Sequence, residues 1–258
     1  MAAGDDKFYR PRILERKDFA PDLWSIRVDP GGEFQFSAGQ YATLAVQTET
    51  KLVQRPYSIV SSPYEKQIEF FFELVPQGEL TPLLYKLQPG DELLMRKASK
   101  GRFTIDFKSG RTRHLLLCTV TGMAPYVSYM RTLYRDWKEG KFPEPHHFFL
   151  LSGASRSWEM GYLKETEKIA GEAPWLTAVH TVSRPWEDPD WKGEVGRVDD
   201  VIRKYTDLWQ LDPAKTAAYL CGHPDMIEHG KGVLKRKGFV KEAMKEEVYF
   251  IPSKGGTS

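Results

Sequence analysis

Cysteine is nearly absent from this 258-residue chain, which carries only Cys118 and Cys221. Two thiols cannot supply a disulfide framework, a four-thiolate iron–sulfur cluster or a structural zinc site. Any electron carrier here must be something other than iron–sulfur, and no metal site is expected. Long apolar runs are lacking too. The longest lies around Leu115 to Cys118, far below the roughly 18 residues that span a bilayer, so no stable membrane insertion is expected. Charge of one sign is scarce: the net charge of +2 argues against nucleic acid as the main ligand. The opening MAAGDDKFYRPR has acidic residues where a signal peptide would be basic, and no apolar stretch follows it, which leads us to expect a cytoplasmic protein. No repeat of fixed period is present, and low complexity is confined to Gly255-Gly256-Thr257-Ser258.

What remains is a globular balance, 41% hydrophobic and 28% charged, over a length that suits two domains of ordinary size. The first hundred residues read as short strands, Trp24 to Val28, Tyr41 to Val46, Tyr57 to Val60, Ile68 to Val75 and Glu92 to Arg96, broken by turns such as Asp29-Pro30-Gly31-Gly32 and Pro89-Gly90-Asp91. That spacing predicts a small antiparallel barrel. After Arg113 the pattern changes. The apolar run His114 to Val120 feeds a helical stretch through Val127, Met130, Leu133, Tyr134 and Trp137. The strand-then-helix unit recurs at His147 to Leu151 with Tyr162 to Ala170, at Leu176 to Val182 with Val198 to Trp209, and at Ala217 to Cys221 with Met226 to Lys237. Such alternation predicts an α/β domain with a parallel sheet, whose ligands bind beyond the carboxyl ends of the strands. The expected fold is therefore two-domain, an antiparallel β-barrel over 8–109 followed by a Rossmann-like α/β domain over 110–258.

Arg55-Pro56-Tyr57-Ser58 gathers what a flavin dinucleotide needs. On a strand Arg55 and Tyr57 share a face, where a guanidinium can neutralise a pyrophosphate and a phenol ring can lie along the flavin or its ribityl chain. An ordinary half-exposed strand carries the same pattern by chance. Pro76-Gln77-Gly78-Glu79-Leu80-Thr81-Pro82 then sets a glycine and a hydroxyl at the start of a short helix, Pro82 to Leu87; this suits a phosphate and equally a plain capped helix.

Phe36-Ser37-Ala38-Gly39-Gln40-Tyr41, Arg55-Pro56-Tyr57-Ser58 and Gly78-Glu79-Leu80-Thr81, in this order and spacing, resemble the flavin-domain motifs of the ferredoxin–NADP reductase family. The resemblance implies FAD, with Tyr57 and Ser58 against the isoalloxazine, Arg55 on the pyrophosphate, and Gly78, Leu80 and Thr81 closing over the phosphates. Thr119-Val120-Thr121-Gly122-Met123-Ala124-Pro125 is similar to the family's T-G-T-G-I-A-P nucleotide loop, with Val120 in place of the first glycine. Either the backbone at Val120 avoids positive φ or the pyrophosphate lies further out.

After the second parallel strand, where an NAD site would be expected to place Asp or Glu, the chain has Ser152-Gly153-Ala154-Ser155-Arg156. Arg184 and Arg197 follow the next strand. All three resemble the 2′-phosphate arginines of bacterial NADP-dependent members, so NADP(H) is expected over NAD(H). Cys221-Gly222-His223-Pro224-Asp225-Met226 looks like the C-G-x-P-x-M segment beside the nicotinamide, with His223 as a turn residue. Glu247-Val248-Tyr249 resembles the terminal Glu-Val-Tyr whose tyrosine stacks on the flavin, and Phe250 is a candidate for contact with the FAD adenine. The resemblance runs from about Tyr9 to Phe250, the Trp186 to Trp191 loop excepted. It implies hydride transfer between nicotinamide and flavin, arranged by Ser58, Cys221, Glu247 and Tyr249, and single-electron exchange with ferredoxin or flavodoxin. The basic stretch from Arg96 to Arg113, with Asp106 as its single acid, could steer such an acidic partner or be a solvated face. A flavin reductase component of an oxygenase system and a non-catalytic flavin-binding subunit are the alternatives.

Overall fold

The computed structural model describes residues 7–249 and divides by contacts into two units, 1–105 with 124–142, and 106–123 with 143–258. The first unit is the antiparallel barrel. Its strands are β1 (Phe8–Tyr9), β2 (Arg12–Ala20), β3 (Leu23–Asp29), β4 (Tyr41–Gln47), β5 (Leu52–Ser58), β6 (Ile68–Glu73) and β7 (Leu94–Arg96), in sheets ordered β1-β7-β4-β5 and β2-β3-β6. Bridges Ile59↔Phe70 and Arg12↔Glu92 tie the sheets together along both edges. Inward-facing Trp24, Ile26, Val28, Leu44, Phe70, Phe72 and Met95 fill the interior. Each such side chain taken fully out of water contributes about 1.5–3 kcal/mol. A single-turn helix, α1 (Thr81–Tyr85), adds Leu84 to this core.

The helix after the first parallel strand, α2 (Ala124–Lys138), belongs to this unit by its contacts. Ser128 Oγ donates to the Ser61 carbonyl at 2.6 Å, Arg131 pairs with Glu69 at 2.7 Å, and Tyr129 hydrogen-bonds the Phe103 carbonyl. Its small and hydroxylated positions therefore serve polar anchoring as well as apolar packing.

The second unit is a six-stranded parallel sheet made of β8 (Arg113–Thr119), β9 (His147–Ala154), β10 (Leu176–Val182), β11 (Glu194–Val195), β12 (Thr216–Gly222) and β13 (Met244–Val248), in the order β11-β10-β9-β8-β12-β13. Helices α3 (Leu163–Glu172), α4 (Val198–Leu208) and α5 (Pro224–Arg236) complete it. Central β8 and β12 are almost wholly buried, which is why both read as uninterrupted small and apolar runs. The chain moves outward from β8 through β9, β10 and β11, then returns to the other side of β8 for β12. The reversal makes the carboxyl ends of β8 and β12 the topological switch point, where ligands bind sheets of this kind. Among the described residues no helix is long and apolar enough to cross a membrane.

Candidate functional sites in the two units

In the barrel unit, β5 carries Arg55, Pro56, Tyr57 and Ser58 against Leu44, Thr43, Ala42 and Tyr41 of β4. β5 is the last strand of its sheet, so the missing N–H of Pro56 costs little there. Tyr57 packs edge-on against Phe72 at a centroid distance of 4.9 Å, and burial pushes its phenol well above the usual range, with Arg55 opposing. The ring is therefore a neutral hydrogen-bonding group at ordinary pH. Ser58 is buried. Arg55 donates to Glu79 at 2.6 Å, and Lys51 pairs with the other oxygen of the same carboxylate. These hydrogen bonds, Lys51 first and then Arg55, hold the Glu79 carboxyl below its ordinary value.

Gly78 closes a turn on the Val75 carbonyl, while Thr81 Oγ1 accepts from Val75 N at 3.0 Å and donates to Val75 O at 3.2 Å. The Thr81 hydroxyl thus pins the loop. Glu79 and Leu80 amides have no acceptor among the described residues, and with the Arg55 guanidinium they form a donor set that suits a pyrophosphate.

In the sheet unit, a 3₁₀ turn over Val120–Met123 leaves the end of β8. A Cβ on Gly122 would lie 2.3 Å from the Cys221 carbonyl oxygen, so only glycine lets this loop approach β12 so closely. Gly222 has φ +124°, and a Cβ there would stand 2.6 Å from Thr119 Oγ1. Thr119 and Met123 thus frame a loop pressed against the start of α5, where His223 caps the helix by accepting from Asp225 N at 3.1 Å. Val120 takes φ +41°. Of the two expectations for this position, avoidance of positive φ is the one that fails: the valine adopts the left-handed region anyway, and its side chain packs on Ala154, Met160 and Val182.

Cys221, Glu247 and Tyr249 are brought together. Parallel pairing of β12 with β13 sets Cys221 opposite Glu247, and Tyr249 hydrogen-bonds through its amide to the Gly222 carbonyl at 3.2 Å. The Tyr249 hydroxyl donates to the Thr121 carbonyl at 3.2 Å. Burial, reinforced by the Glu247 charge, pushes the Cys221 thiol well up, against a hydrogen bond from Tyr249. The thiol is thus neutral and has no thiolate chemistry at ordinary pH. Phe250 lies outside the described residues.

The three arginines sit where strands end, Arg156 after β9, Arg184 after β10 and Arg197 capping α4. Sequence reasoning missed their acidic neighbours. Arg156 donates to Glu159 at 2.7 Å and through Nε to Glu187 at 2.6 Å, and Arg184 lies 3.7 Å from the same Glu187. Arg197 reaches Asp199 at 3.3 Å. The signal available in sequence was short spacing: Glu159 follows Arg156 and Glu187 follows Arg184 by three residues, and Asp199 follows Arg197 by two.

Residues 15–105 match the oxidoreductase FAD-binding domain and residues 116–232 the oxidoreductase NAD-binding domain. The chain is therefore a two-domain flavin- and nicotinamide-nucleotide-binding oxidoreductase. It is 26% identical over 242 residues to a ferredoxin–NADP reductase of Pseudomonas aeruginosa, with 89% of this chain and 90% of that one covered. A ferredoxin–NADP reductase of Azotobacter vinelandii is 28% identical over 237 residues, covering 86% and 87%. In fold the chain is similar to a ferredoxin–NADP⁺ reductase from Neisseria gonorrhoeae crystallised with FAD and NADP, with TM-score 0.80, 22% identity, and 95% and 99% of the two chains covered. The chain belongs to the oxidoreductases built from these FAD- and NAD-binding domains, and ferredoxin–NADP reductases are among its relatives.

Proposed function

We propose that this protein is an FAD-dependent ferredoxin or flavodoxin–NADP(+) oxidoreductase, exchanging a hydride with NADP(H) and single electrons with a small acidic carrier protein. The observation that carries the reading is a nucleotide loop and a Cys-Gly turn at the switch point of a parallel sheet, in a chain whose other unit is a barrel bearing Arg55-Pro56-Tyr57-Ser58. Residues 8–109 are assigned to FAD and 110–258 to NADP(H), with α2 packed in the barrel unit. Arg55 and the Glu79 and Leu80 amides would hold the pyrophosphate, and Tyr57 and Ser58 the ring system. Glu79 then yields Arg55 to the phosphates, a modest cost because both side chains of the pair are exposed and solvent screens them. When bound, FAD supplies the capacity to accept two electrons together and release them singly, which no side chain here has.

The chain's own part is orientation. Gly122 and Gly222 let the loop amides of Thr121 and Met123 come close to a dinucleotide, and Arg156, Arg184 and Arg197 receive its 2′-phosphate. Cys221, held neutral, packs beside the nicotinamide, Glu247 keeps a carboxylate next to it, and Tyr249 covers the loop. Cytoplasmic location accords with this role. A second reading, the reductase component of an oxygenase, draws on 29% identity over 233 residues to the ferredoxin–NAD(P)(+) reductase component of a naphthalene 1,2-dioxygenase system of Pseudomonas putida, of which this chain spans 65%. The test common to both is the visible spectrum of the purified protein and its anaerobic titration with NADPH. Prompt bleaching of a bound flavin is expected. A colourless protein that ignores added FAD removes the basis of the assignment.

A further inference from the structure

The arginines assigned to the 2′-phosphate are already neutralised. Arg156 bears two carboxylates, Glu159 and Glu187; Arg184 shares Glu187; Arg197 has Asp199. A phosphate entering this cluster must exchange with a carboxylate, and the carboxylates differ in how they are held. Glu159 accepts from the backbone amides of Ser155 at 2.9 Å and Arg156 at 3.2 Å as well as from the guanidinium, so it is built into the turn. Asp188 is buried and accepts from Ser157 N at 2.7 Å. Asp199 is buried between Arg197 and His229. Glu187 and Asp199 have no backbone donor among the described residues, but Asp199 is buried and holds His229 as well. The Glu187 oxygens meet the Arg156 and Arg184 guanidiniums, and its side chain is 34% exposed at the end of the Pro185–Glu187 turn. It can leave for water without disturbing the backbone.

We propose that Glu187 is a specificity-determining residue of the nucleotide site, a displaceable counter-ion that occupies the Arg156–Arg184 fork until a 2′-phosphate replaces it. The inference rests on the NADP(H) reading above. Carboxylate and phosphate offer a guanidinium the same forked acceptor geometry, so the exchange is one for one. A nucleotide with a 2′-hydroxyl has no anion to place on the fork and leaves Glu187 where it is. Glu187 therefore weakens NADP(H) binding selectively and narrows its advantage over NAD(H).

The test is isothermal titration of the flavin-loaded protein with NADP⁺, NAD⁺ and 2′,5′-ADP, in the wild type and in Glu187→Gln, Glu187→Ala, Arg156→Ala and Arg184→Ala. Removing the competing charge is expected to lower the Kd for NADP⁺ and 2′,5′-ADP by about ten-fold, a typical effect of one charge-assisted contact, and to leave NAD⁺ within about two-fold. Both Glu187 variants should agree, and an unaltered flavin spectrum certifies each fold. If Arg184→Ala and Arg156→Ala weaken 2′,5′-ADP while neither Glu187 variant strengthens it, the counter-ion role is overturned and the clamp stands. Should the arginine variants leave 2′,5′-ADP and NADP⁺ binding untouched, the clamp itself is wrong and Glu187 loses its role with it.

Discussion

Val120 combines a β-branched side chain with φ +41°, a backbone region that costs a residue of L-chirality roughly 1–2 kcal/mol. Contact with Ala154, Met160 and Val182 offsets part of that strain. In Val120→Gly the strain disappears, but the packing goes too, and the freer unfolded chain costs about 0.5–1 kcal/mol. The three terms nearly cancel, so stability should move by less than about 1 kcal/mol. Binding is a different matter: without the isopropyl group the Thr121 and Gly122 amides are more open, and NADP⁺ and NAD⁺ should tighten together by a few-fold. Calorimetric titration of both nucleotides decides it, a gain confined to NADP⁺ being incompatible with a role at the shared pyrophosphate. Tyr249 gives the complementary case. Its ring is proposed to cover the place that the nicotinamide must reach, and an aromatic stack is worth about 0.5–1.5 kcal/mol. Tyr249→Ser should keep FAD bound, tighten NADP⁺ by about two- to ten-fold and narrow the preference for NADPH over NADH. Tyr249→Phe, which keeps the ring and loses the hydroxyl's bonds to the Thr121 carbonyl and to Cys221, should retain the wild-type preference. An unchanged NADP⁺ titration of the flavin spectrum in the serine variant would take the ring away from that place.

At the scale of elements, legibility followed burial. Leu176–Val182 was read as the structure has it, and β8, β9 and β12 within a few residues, because buried parallel strands write continuous apolar runs. β2 was invisible: Arg12, Glu15, Lys17 and Asp18 face water, the charged Arg16 instead folds its side chain onto Trp24 and Tyr85, and two register shifts break the alternation. β5 was expected over Tyr57 to Val60 and lies at Leu52–Ser58, since the polar, half-buried Gln54 and Arg55 interrupt the apolar pattern of its first half. β13 is a polar edge strand, Met-Lys-Glu-Glu-Val, whose partner only the fold supplies. The site motifs were legible wherever glycine or proline marked a turn. The Arg156–Glu187 pair was not, because it joins the ends of two strands 31 residues apart.

The basic stretch divides in the same way. Arg96 is held by Gln54 at 2.9 Å and Arg113 by the Trp209 carbonyl at 2.9 Å, while Lys100, Arg102 and Lys108 are exposed. Only the exposed ones can guide an acidic carrier. Lys100→Glu with Arg102→Glu should slow ferredoxin reduction several-fold at low salt, with the difference vanishing near 1 M salt, where the screening length is about 3 Å. Turnover with a small neutral acceptor should not change. Equal sensitivity with both acceptors would return the stretch to ordinary surface.

For the whole molecule, acid sensitivity is set by where histidine occurs. All six histidines fall in the sheet unit and none in the barrel unit. His114, hydrogen-bonded to His146 at 2.8 Å and stacked on Phe148, is pushed down to about 3, chiefly by burial and then by His146. His180, held between Ser152 and Thr166, is lowered to about 4 by burial. Burial also lowers His146 and His147. In the unfolded chain these side chains take up protons near pH 6.5. Between that pH and the folded values the unfolded state binds more protons, so stability is complete above about pH 6.5 and falls as the pH drops, by up to about 1.4 kcal/mol per pH unit for each fully buried histidine. The carboxylates add their loss only at lower pH. Acidification from pH 7.5 to 5 should therefore weaken the sheet unit first, separating a cooperative unfolding curve into two steps. Hydrogen exchange followed by peptide should show β8, β9 and β10 losing protection while β3, β4 and β6 keep theirs. His180→Gln, which can still meet Ser152 and Thr166 without titrating, should flatten the slope of the first step. If both units lose protection together, or if the slope survives in His180→Gln undiminished, the buried imidazoles do not govern the acid limit.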